Sequence, residues 1–530
     1  MDYSQKVIVI ALDGATWSLL KKLIIENKTP NLRKIVEKGV YGVLKSTIPP
    51  ITGPAWVSFA TGKNPGKHGC YDFSIPVKRL DELHTISSKD IKTHTFYELL
   101  EQYGKNNILV NLPASTPPRI KGIVIADLLS FSKQLWFPKE LIHEIPELEN
   151  YRLSPKGEIM LNREVKKLVK DIVELESVRF NIAYKLFTKK KWDFFFLLFS
   201  GTDWIQHVSY YQLINNGEHA GLTIFMEIDK YIGMVLNALQ KENYSLFIMS
   251  DHGFNSYKGT FHVNDWLEAK RFLMREEKSE TSTEYVHQVE KEMCKAKELG
   301  IQIQIPSFIL KIAEYFPFTH YVYLKLKKIF KFNIKKPNLF INLKKTYAYS
   351  TITGASNFSG IYINSYPPFV NGIIKSREDY EKVRKEIINK LASLPFITWA
   401  RKKEEVYWGP YLLSAPDIIL KSSKYVIDKS WNYPSRALRN EHHIDGIFIA
   451  YGPNFKRGAV LQNASILDIA PTILHIFDVP IPKDMDGKVL KEIFKENSIL
   501  AKKDINYQET DYERKRIKKR IEKLRKRQKI

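Results

Sequence analysis

Residue types that bind metal ions lie beside four short apolar runs of this sequence. Asp13 follows VIVIAL, Asp203 and His207 follow FFFLLFSGT, Asp251 and His252 follow LFIMS, and His442 precedes GIFIA. A single such residue is usually a helix cap or an acceptor for backbone amides. Four such places, each beside a predicted strand, indicate a metal site instead.

The spacing of these residues supports shared ligation. Asp203 and His207 are four residues apart, so the first turns of a helix would present both on one face to a single ion. Asp251 and His252 offer a carboxylate oxygen and an imidazole nitrogen side by side. Mixed oxygen and nitrogen donors suit Zn²⁺ or Mn²⁺ better than Ca²⁺ or Mg²⁺.

A candidate nucleophile lies in the segment Thr47-Ile-Pro-Pro-Ile-Thr52-Gly-Pro-Ala-Trp56. Its prolines stiffen a turn that leads into the apolar stretch Ala55 to Ala60, which we predict to be a helix. Thr52 would lie near the start of that helix, where backbone amides and the helix dipole favour an anion. A simple N-cap role for Thr52 is the alternative interpretation.

The elements that must position these residues alternate along the chain. Predicted strands are Lys6–Leu12, Asn107–Asn111, Gly122–Ala126, Phe194–Phe199, Leu246–Met249, Gly360–Asn364, Ile418–Leu420 and Gly446–Ala450, and predicted helices are Trp17–Asn27, Asn31–Lys38, Arg163–Leu186 and Leu222–Gln240. Thr29 is predicted to cap the second helix, with Pro30 at its first position. The alternation predicts an α/β fold with a mostly parallel central sheet and helices on both faces. Sites in such sheets form at the carboxyl ends of strands.

Residues Lys270 to Lys336 interrupt this alternation with charged and then aromatic and basic sequence. We predict a helical, aromatic-basic insertion, either a subdomain packed on the body or an amphipathic lid or membrane-surface segment. The resulting organisation is a first catalytic half (1–269), the insertion (270–345), a second catalytic half (346–500) and a basic helical tail (501–530).

More than a third of the net charge of +24 lies at the end of the chain, where eleven Lys and Arg stand against two Glu between Glu513 and Lys529. Such a tail could bind an anionic partner, either nucleic acid or a membrane surface, or it could be a solvated helix that frays. We expect it to be dispensable for catalysis.

Composition excludes several classes of protein. The chain has 530 residues, 44% of them hydrophobic, which is typical of a folded globular protein. The two cysteines, Cys70 and Cys294, cannot form a disulfide framework and favour a reducing compartment. The apolar runs are strand-sized, too short for a signal peptide or a membrane span, so we expect a cytoplasmic location.

Taken together, the motifs resemble the alkaline phosphatase superfamily and, within it, the type I phosphodiesterase/nucleotide pyrophosphatase family. The resemblance is carried by ALDGATW (11–17), TPNL (29–32), PPITGPAWVSFATGKNPGKHG (49–69), GTDWIQH (201–207), SDHGF (250–254) and HHIDGIFIAYGPNFKRG (442–458). It covers nearly the whole chain except the insertion and the tail.

The resemblance implies two metal sites and a covalent mechanism. One divalent ion would be bound by Asp203, His207 and His442, and the other by Asp13, Asp251, His252 and the hydroxyl oxygen of Thr52. Both ions are expected to be Zn²⁺, with Mn²⁺ as the alternative, about 4 Å apart. His442 is chosen over His443 because the family's histidine lies four residues before the glycine that opens the strand, here Gly446.

The function implied by the resemblance is hydrolysis of small phosphate esters, at phosphodiester or pyrophosphate bonds, through a phosphothreonine at Thr52. The alternatives are a phosphomonoesterase or phosphoryl mutase on the same scaffold, and a non-catalytic basic protein that binds nucleic acid or membranes. Sulfatases need a Cys/Ser-x-Pro-x-Arg motif, whereas Thr52 is followed by Gly-Pro-Ala-Trp.

Overall fold

The computed structural model describes residues 5–130, 132–157, 164–239, 242–277, 339–430 and 438–509. Its strands are β1 (Lys6–Leu12), β2 (Val40–Lys45), β3 (Ser74–Pro76), β4 (Leu83–Thr85), β5 (Asn107–Val110), β6 (Ile123–Ile125), β7 (Trp136–Phe137), β8 (Phe194–Phe199), β9 (Tyr244–Met249), β10 (Gly253–Tyr257), β11 (Thr260–His262), β12 (Arg275–Glu277), β13 (Leu339–Ile341), β14 (Ala348–Tyr349), β15 (Phe358–Ile363), β16 (Ile397–Lys402), β17 (Ile418–Ser422), β18 (Val426–Asp428), β19 (Arg439–His443), β20 (Asp445–Tyr451), β21 (Ala459–Ser465), β22 (Ile481–Pro482) and β23 (Tyr507–Gln508).

The α-helices are α1 (Trp17–Ile25), α2 (Pro30–Lys38), α3 (Thr52–Thr61), α4 (Pro65–His68), α5 (Phe96–Gln102), α6 (Leu141–Glu144), α7 (Val165–Lys189), α8 (Gly201–Asn215), α9 (Leu222–Ala238), α10 (Val263–Ala269), α11 (Arg377–Ala392), α12 (Ile469–Ile476) and α13 (Ile499–Lys502). Short 3₁₀ turns cover Ser88–Asp90, Pro146–Asn150, Lys403–Glu405, Leu412–Ser414, Ile466–Asp468 and Lys491–Ile493.

A nine-stranded sheet in the order β21-β2-β20-β9-β1-β8-β5-β6-β7 is the centre of the molecule. Strand β1 pairs in parallel with both β8 and β9, and β5 pairs in parallel with β8 and β6. The ladders of β20 with β2 and β9, and of β7 with β6, are antiparallel. The sheet is therefore mixed and mostly parallel, which confirms the predicted fold class.

Side chains of β1 alternate between two hydrophobic cores, as the period of two in a strand requires. Ile8 and Ile10 face a core that contains residues of α1, α2, α7, α8 and α9. Val7 and Val9 face a second core that contains residues of α3, α5 and α12. Burial on both faces explains why the central strands read as continuous apolar runs rather than alternating ones.

A second, smaller sheet lies in the later half of the chain, with the strand order β14-β15-β17-β16. Its neighbouring strands pair in antiparallel fashion. Ile387 and Leu391 of α11 pack in one hydrophobic cluster with Ile361 of β15 and Leu420 of β17. The short ladders β10-β19 and β11-β18 pair strands that come soon after β9 with strands that lie between this smaller sheet and β20 in the sequence.

The start of α2 corrects one detail of the sequence analysis. The helix begins at Pro30 and Thr29 takes the N-cap position, as predicted, but the Thr29 side chain makes no capping hydrogen bond in the described chain. The carboxylate of Asp229 instead accepts from the backbone N–H groups of Asn31 and Leu32. A residue about 200 positions away thus supplies the cap, which no local pattern could predict.

The predicted insertion and tail lie mostly outside the described residues. Strands β12 and β13, which stand on either side of residues 278–338 in the sequence, pair in antiparallel fashion. At the other end, β23 pairs in parallel with β22. The basic stretch after Glu513 is not described, and its anionic partner stays a prediction. Within the described ranges, every helix is too short or too polar to cross a membrane.

Candidate metal centre

Three parallel strands bring the candidate ligands to one edge of the large sheet. Leu12 of β1 is in register with Phe199 of β8, and Ala11 of β1 with Met249 of β9, so the carboxyl ends of the strands meet. Asp13 follows β1 directly, α8 begins two residues after β8, and Asp251 lies two residues after β9. The predicted site edge therefore exists in the structure.

One group of candidate ligands, the deep cluster, consists of Asp13, Asp251 and His252, all buried. Nε2 of His252 lies 3.5 Å from Oδ1 of Asp13 and 3.3 Å from Oδ2 of Asp251. The other oxygen of Asp251 accepts from the backbone N–H of Gly14 at 3.2 Å, and Nδ1 of His252 lies 3.1 Å from the carbonyl oxygen of Gly253. Backbone groups thus orient this cluster.

Thr52 lies against the deep cluster. Its Oγ is 3.2 Å from Nε2 of His252, and its side chain is buried. Thr52 is the first residue of α3, and Ile51 takes the N-cap position. The hydroxyl therefore faces the cluster at the amino end of a helix, and the N-cap interpretation of Thr52 is wrong.

The second group, the outer cluster, consists of Asp203 and His207 on α8 and His442 on β19. Nε2 of His442 lies 3.0 Å from Nε2 of His207 and 3.3 Å from Oδ1 of Asp203. Nε2 of His207 lies 3.4 Å from the same oxygen. Nδ1 of His442 lies 3.0 Å from the carbonyl oxygen of Pro50, in the loop that leads to Thr52.

The two clusters are direct neighbours. The rings of His252 and His442 stack with their centroids 3.6 Å apart and their planes 18° apart. This contact follows from the antiparallel ladder of β10 with β19, which sets His442 opposite Phe254. His443 has a different environment: its Nδ1 accepts from the backbone N–H of Asp445, and the residue is partly exposed. The structure thus brings together all seven residues named from the sequence.

Electrostatics in the deep cluster disfavour its anionic state. Burial raises the pKa of Asp13 well above its ordinary value, and the charges of Asp251 and Asp203 raise it further. Burial likewise raises the pKa of Asp251 to about 7. Burial, together with the nearby His442, lowers the pKa of His252 well below its ordinary value. Carboxylates so close to one another need a positive partner to stay ionised at neutral pH.

The outer cluster has the opposite tendency. Although burial disfavours charge there, the imidazoles of His207 and His442 hold the pKa of Asp203 well below its ordinary value. Burial also opposes a charged His207, but the carboxylates of Asp203 and Glu441 outweigh it and raise the pKa of His207 to about 10. Asp203 is thus ionised at neutral pH and offers an anionic oxygen.

The unpaired oxygens of the two clusters fit a cation. Oδ1 of Asp13, Oδ1 of Asp203 and Oδ2 of Asp251 are buried and have no hydrogen-bond partner among the residues that the structure describes. A buried polar atom without a partner is costly, and each of these oxygens faces Nε2 of a cluster histidine. In each cluster the three candidate donor atoms lie within 4.8 Å of one another. This donor set matches divalent cations such as Zn²⁺ or Mn²⁺.

One residue of this site was missed by the sequence analysis. Oε2 of Glu441 lies 3.0 Å from Nδ1 of His207, and its other oxygen accepts from the guanidinium of Arg439. A glutamate directly before a candidate histidine ligand was the available signal. The role of Glu441 depends on the fold, because the packing of α8 against β19 brings His207 next to Glu441.

Comparison with known proteins agrees with this geometry. The family model for Type I phosphodiesterase / nucleotide pyrophosphatase matches residues 7–306, which is more than half of the chain. The chain belongs to this family. Members of the type I phosphodiesterase family are phosphodiesterase or pyrophosphatase hydrolases and generally use two divalent metal ions. Among curated proteins, none matches this chain.

Solved structures show the same fold in other proteins. Murine ectonucleotide pyrophosphatase / phosphodiesterase 5 is 13% identical, covers 93% of this chain and 100% of its own, and superposes with a TM-score of 0.52. An inactive form of that protein in complex with AMP gives the same values. Phosphonoacetate hydrolase from Sinorhizobium meliloti 1021, in complex with phosphonoformate, is 16% identical with a TM-score of 0.52 and covers 90% of this chain and 96% of its own. This phosphodiesterase-family chain therefore has the alkaline phosphatase-like fold.

Proposed function

We propose that this member of the type I phosphodiesterase family hydrolyses small phosphate esters, at phosphodiester or pyrophosphate bonds, with Thr52 as the nucleophile and two divalent cations as cofactors. The observation that carries the proposal is the position of the Thr52 hydroxyl, 3.2 Å from Nε2 of His252 and beside two adjoining carboxylate–histidine clusters. Zn²⁺ is the metal that we expect, and Mn²⁺ is the alternative.

The residues divide between two metal sites in this proposal. Asp203, His207 and His442 would hold one cation, and the deep cluster with the Thr52 oxygen would hold the other. When bound, the cations would lower the pKa of the Thr52 hydroxyl and neutralise negative charge on the phosphate and on the departing oxygen. The unpaired oxygens of Asp13, Asp203 and Asp251 support this assignment.

Thr52 would perform the first chemical step. Its hydroxyl loses the proton and its Oγ forms a bond to phosphorus while the bond from phosphorus to the ester oxygen breaks. The departing oxygen leaves with the electron pair of that bond and takes up a proton. The start of α3 assists, because the free amides and the dipole at the amino end of a helix favour the anionic phosphoryl group. Thr52 is then left phosphorylated, and the phosphoryl group keeps the second ester substituent when the substrate is a diester.

Water completes the reaction in the second step. Its oxygen bonds to phosphorus, the bond between phosphorus and Oγ of Thr52 breaks, and the hydroxyl recovers its proton. A diester substrate would release a phosphomonoester at this step, and a monoester substrate would release inorganic phosphate.

A panel of nitrophenyl esters tests the proposal. Protein stripped with a chelator and then reloaded with Zn²⁺ or Mn²⁺ is assayed on bis-nitrophenyl phosphate, nitrophenyl phosphate and a nitrophenyl nucleotide diester. We expect turnover of a diester that chelation abolishes and added metal restores. Turnover of the monoester alone would redirect the proposal to a phosphomonoesterase, and equal turnover in stripped protein would refute the metal requirement.

A further inference from the structure

Glu441 contacts the outer cluster on one side and the guanidinium of Arg439 on the other. One of its oxygens, Oε2, is 3.0 Å from Nδ1 of His207, and the other, Oε1, is 3.0 Å from Nε of Arg439. A second nitrogen of the same guanidinium also donates to Oε1. The Glu441 side chain is 9% exposed, so these contacts are shielded from water.

Arg439 is itself tied to neighbouring strands. It donates to Oγ of Thr260 at 3.2 Å, and its guanidinium lies 3.8 Å from Oδ2 of Asp428. A guanidinium held at several points fixes the carboxylate that it grips more firmly than a single contact would. Because Oε1 is occupied by Arg439, Oε2 of Glu441 is directed to His207.

The three candidate histidine ligands differ in what their Nδ1 atoms face. Nδ1 of His252 faces the carbonyl oxygen of Gly253, and Nδ1 of His442 faces the carbonyl oxygen of Pro50. Nδ1 of His207 faces a carboxylate instead. A carboxylate partner holds the imidazole in the tautomer with its proton on Nδ1, leaves Nε2 free to bind a metal, and makes that nitrogen more basic.

We propose that Glu441, clamped by Arg439, is a positioning residue that orients His207 for the metal ion of the outer cluster. This inference rests on the proposed two-metal site and adds a residue that the candidate ligand set does not include. It also makes the two sites unequal, because the histidine of the deep cluster is oriented by a backbone carbonyl, whereas one of the two histidines of the outer cluster is oriented by a carboxylate. A substitution at Glu441 should therefore weaken the binding of the ion at the outer cluster and leave the binding of the other ion unchanged.

The test compares Glu441→Gln with Glu268→Gln in the full-length protein. Glutamine keeps the shape of the side chain and removes its charge, so the fold should survive. Glu268 grips Arg275 with both of its oxygens, away from the candidate ligands, so its variant controls for loss of a Glu–Arg pair. Zn²⁺ stoichiometry and affinity are measured by competition with a chromogenic chelator, and thermal unfolding of the stripped proteins checks their folding.

We expect wild type and Glu268→Gln each to bind two Zn²⁺ ions, and the affinity at each site should be the same in both proteins. Glu441→Gln should bind one ion as tightly as wild type and the other about 10- to 100-fold more weakly, the usual effect of losing such a partner. The weakened ion should be the one that Asp203→Asn also loses. Arg439→Lys, which keeps the charge but loses the two-point grip, should give a smaller loss at the same ion.

The outcomes separate this inference from the proposed function. Two ions bound to Glu441→Gln with wild-type affinities would overturn the role of Glu441 and leave the two-metal proposal standing. A loss shared equally by both ions would also overturn it, since a general structural effect would act on both sites. Failure of wild type itself to bind two ions would refute the two-metal proposal on which the inference rests.

Discussion

The two ends of helix α3 both lie near carboxylates, which differ in how many of their oxygens accept hydrogen bonds. At its amino end, Thr52 adjoins clusters in which three buried carboxylate oxygens have no hydrogen-bond partner within the described chain. Beyond its carboxyl end, Asp486 accepts from Lys67 and the Trp408 indole with one oxygen, and from the backbone and side-chain amides of Asn64 with the other.

The pairing of the carboxylates is what differs between Asp486 and the clusters beside Thr52. A fully paired network stabilises the fold and offers no free acceptor. The buried carboxylates of Asp13 and Asp251, whose pKa values burial raises, destabilise the metal-free protein when ionised and would gain a partner when a cation binds. Substitutions at the two ends of α3 should therefore have opposite consequences for activity and stability.

The largest effect is expected at the amino end. Asp251→Asn removes one of the crowded carboxylates and should reduce kcat/KM on a phosphodiester by about 10³-fold or more, the scale of several kcal/mol of charge stabilisation. The melting temperature of the metal-free protein should stay the same or rise, because a buried charge without a partner is lost. If Asp251→Asn keeps its activity, or unfolds at a lower temperature than wild type in chelator, the proposed difference between the two ends of α3 is wrong.

Asp486→Asn, at the carboxyl end, should lower stability and leave activity unchanged. It breaks the ion pair with Lys67 and leaves donors without a charged acceptor, so the free energy of unfolding should fall by about 2–3 kcal/mol. Because Asp486 touches none of the candidate ligands, kcat at a temperature where the variant is folded should match wild type. Denaturant titration and steady-state kinetics measure both, and a large fall in kcat would place this network inside the catalytic unit.

Ser58→Ala is a smaller perturbation at the same end. Oγ of Ser58 lies 2.8 Å from Nε2 of the buried His68, whose Nδ1 accepts from the backbone N–H of Cys70. Removing the hydroxyl leaves a buried ring nitrogen unpaired, which should lower the free energy of unfolding by about 1–2 kcal/mol. Thr61→Ala is the control, since its hydroxyl bonds only to a backbone carbonyl of the same helix. If Ser58→Ala and Thr61→Ala lower the free energy of unfolding equally, the hydrogen bond to His68 contributes no more than an ordinary bond to the helix backbone.

The pH dependence of stability should report the same histidine. Burial lowers the pKa of His68 to about 3, whereas in the unfolded chain it titrates near 6.5. Between these values the unfolded chain binds the extra proton, so stability falls as the pH decreases, by at most about 1.4 kcal/mol per pH unit for this group. In chelator, His68→Gln should show a shallower decline between pH 6.5 and 4. An unchanged slope would show that His68 is not buried in its neutral form.

Much of the fold could be predicted because its signals are local. The run KVIVIAL is apolar after its first residue and forms β1 with the predicted bounds, and the apolar run Phe194–Phe199 forms β8 with the predicted bounds. Asp13 directly follows β1 and Asp251 lies two residues after β9, so the parallel pairing of the two strands is enough to bring them together. These residues needed only the order of elements along the chain.

Other features depend on contacts between distant parts of the chain. The residue pattern alone leaves His442 and His443 open, and the family resemblance selects His442. The ladder of β19 with β10, two strands that were not predicted, gives the two side chains their different positions. The partnership of Glu441 with His207 joins residues 234 positions apart, and the cap that Asp229 supplies to α2 is similarly remote. Sequence pattern carries no information about which polar side chain will meet another across the fold.

Trapping of the covalent intermediate tests the account most directly. Metal-loaded protein is mixed with a phosphate ester, quenched in acid within the first turnover, digested and mapped by mass spectrometry, with Thr52→Ala treated in parallel. We predict one phosphoryl group on the peptide that contains Thr52, with none in Thr52→Ala, whose turnover should fall by about 10⁴-fold or more, as when a hydrolase loses its nucleophile. A phosphoryl group on another residue, or full turnover by Thr52→Ala, would contradict the account.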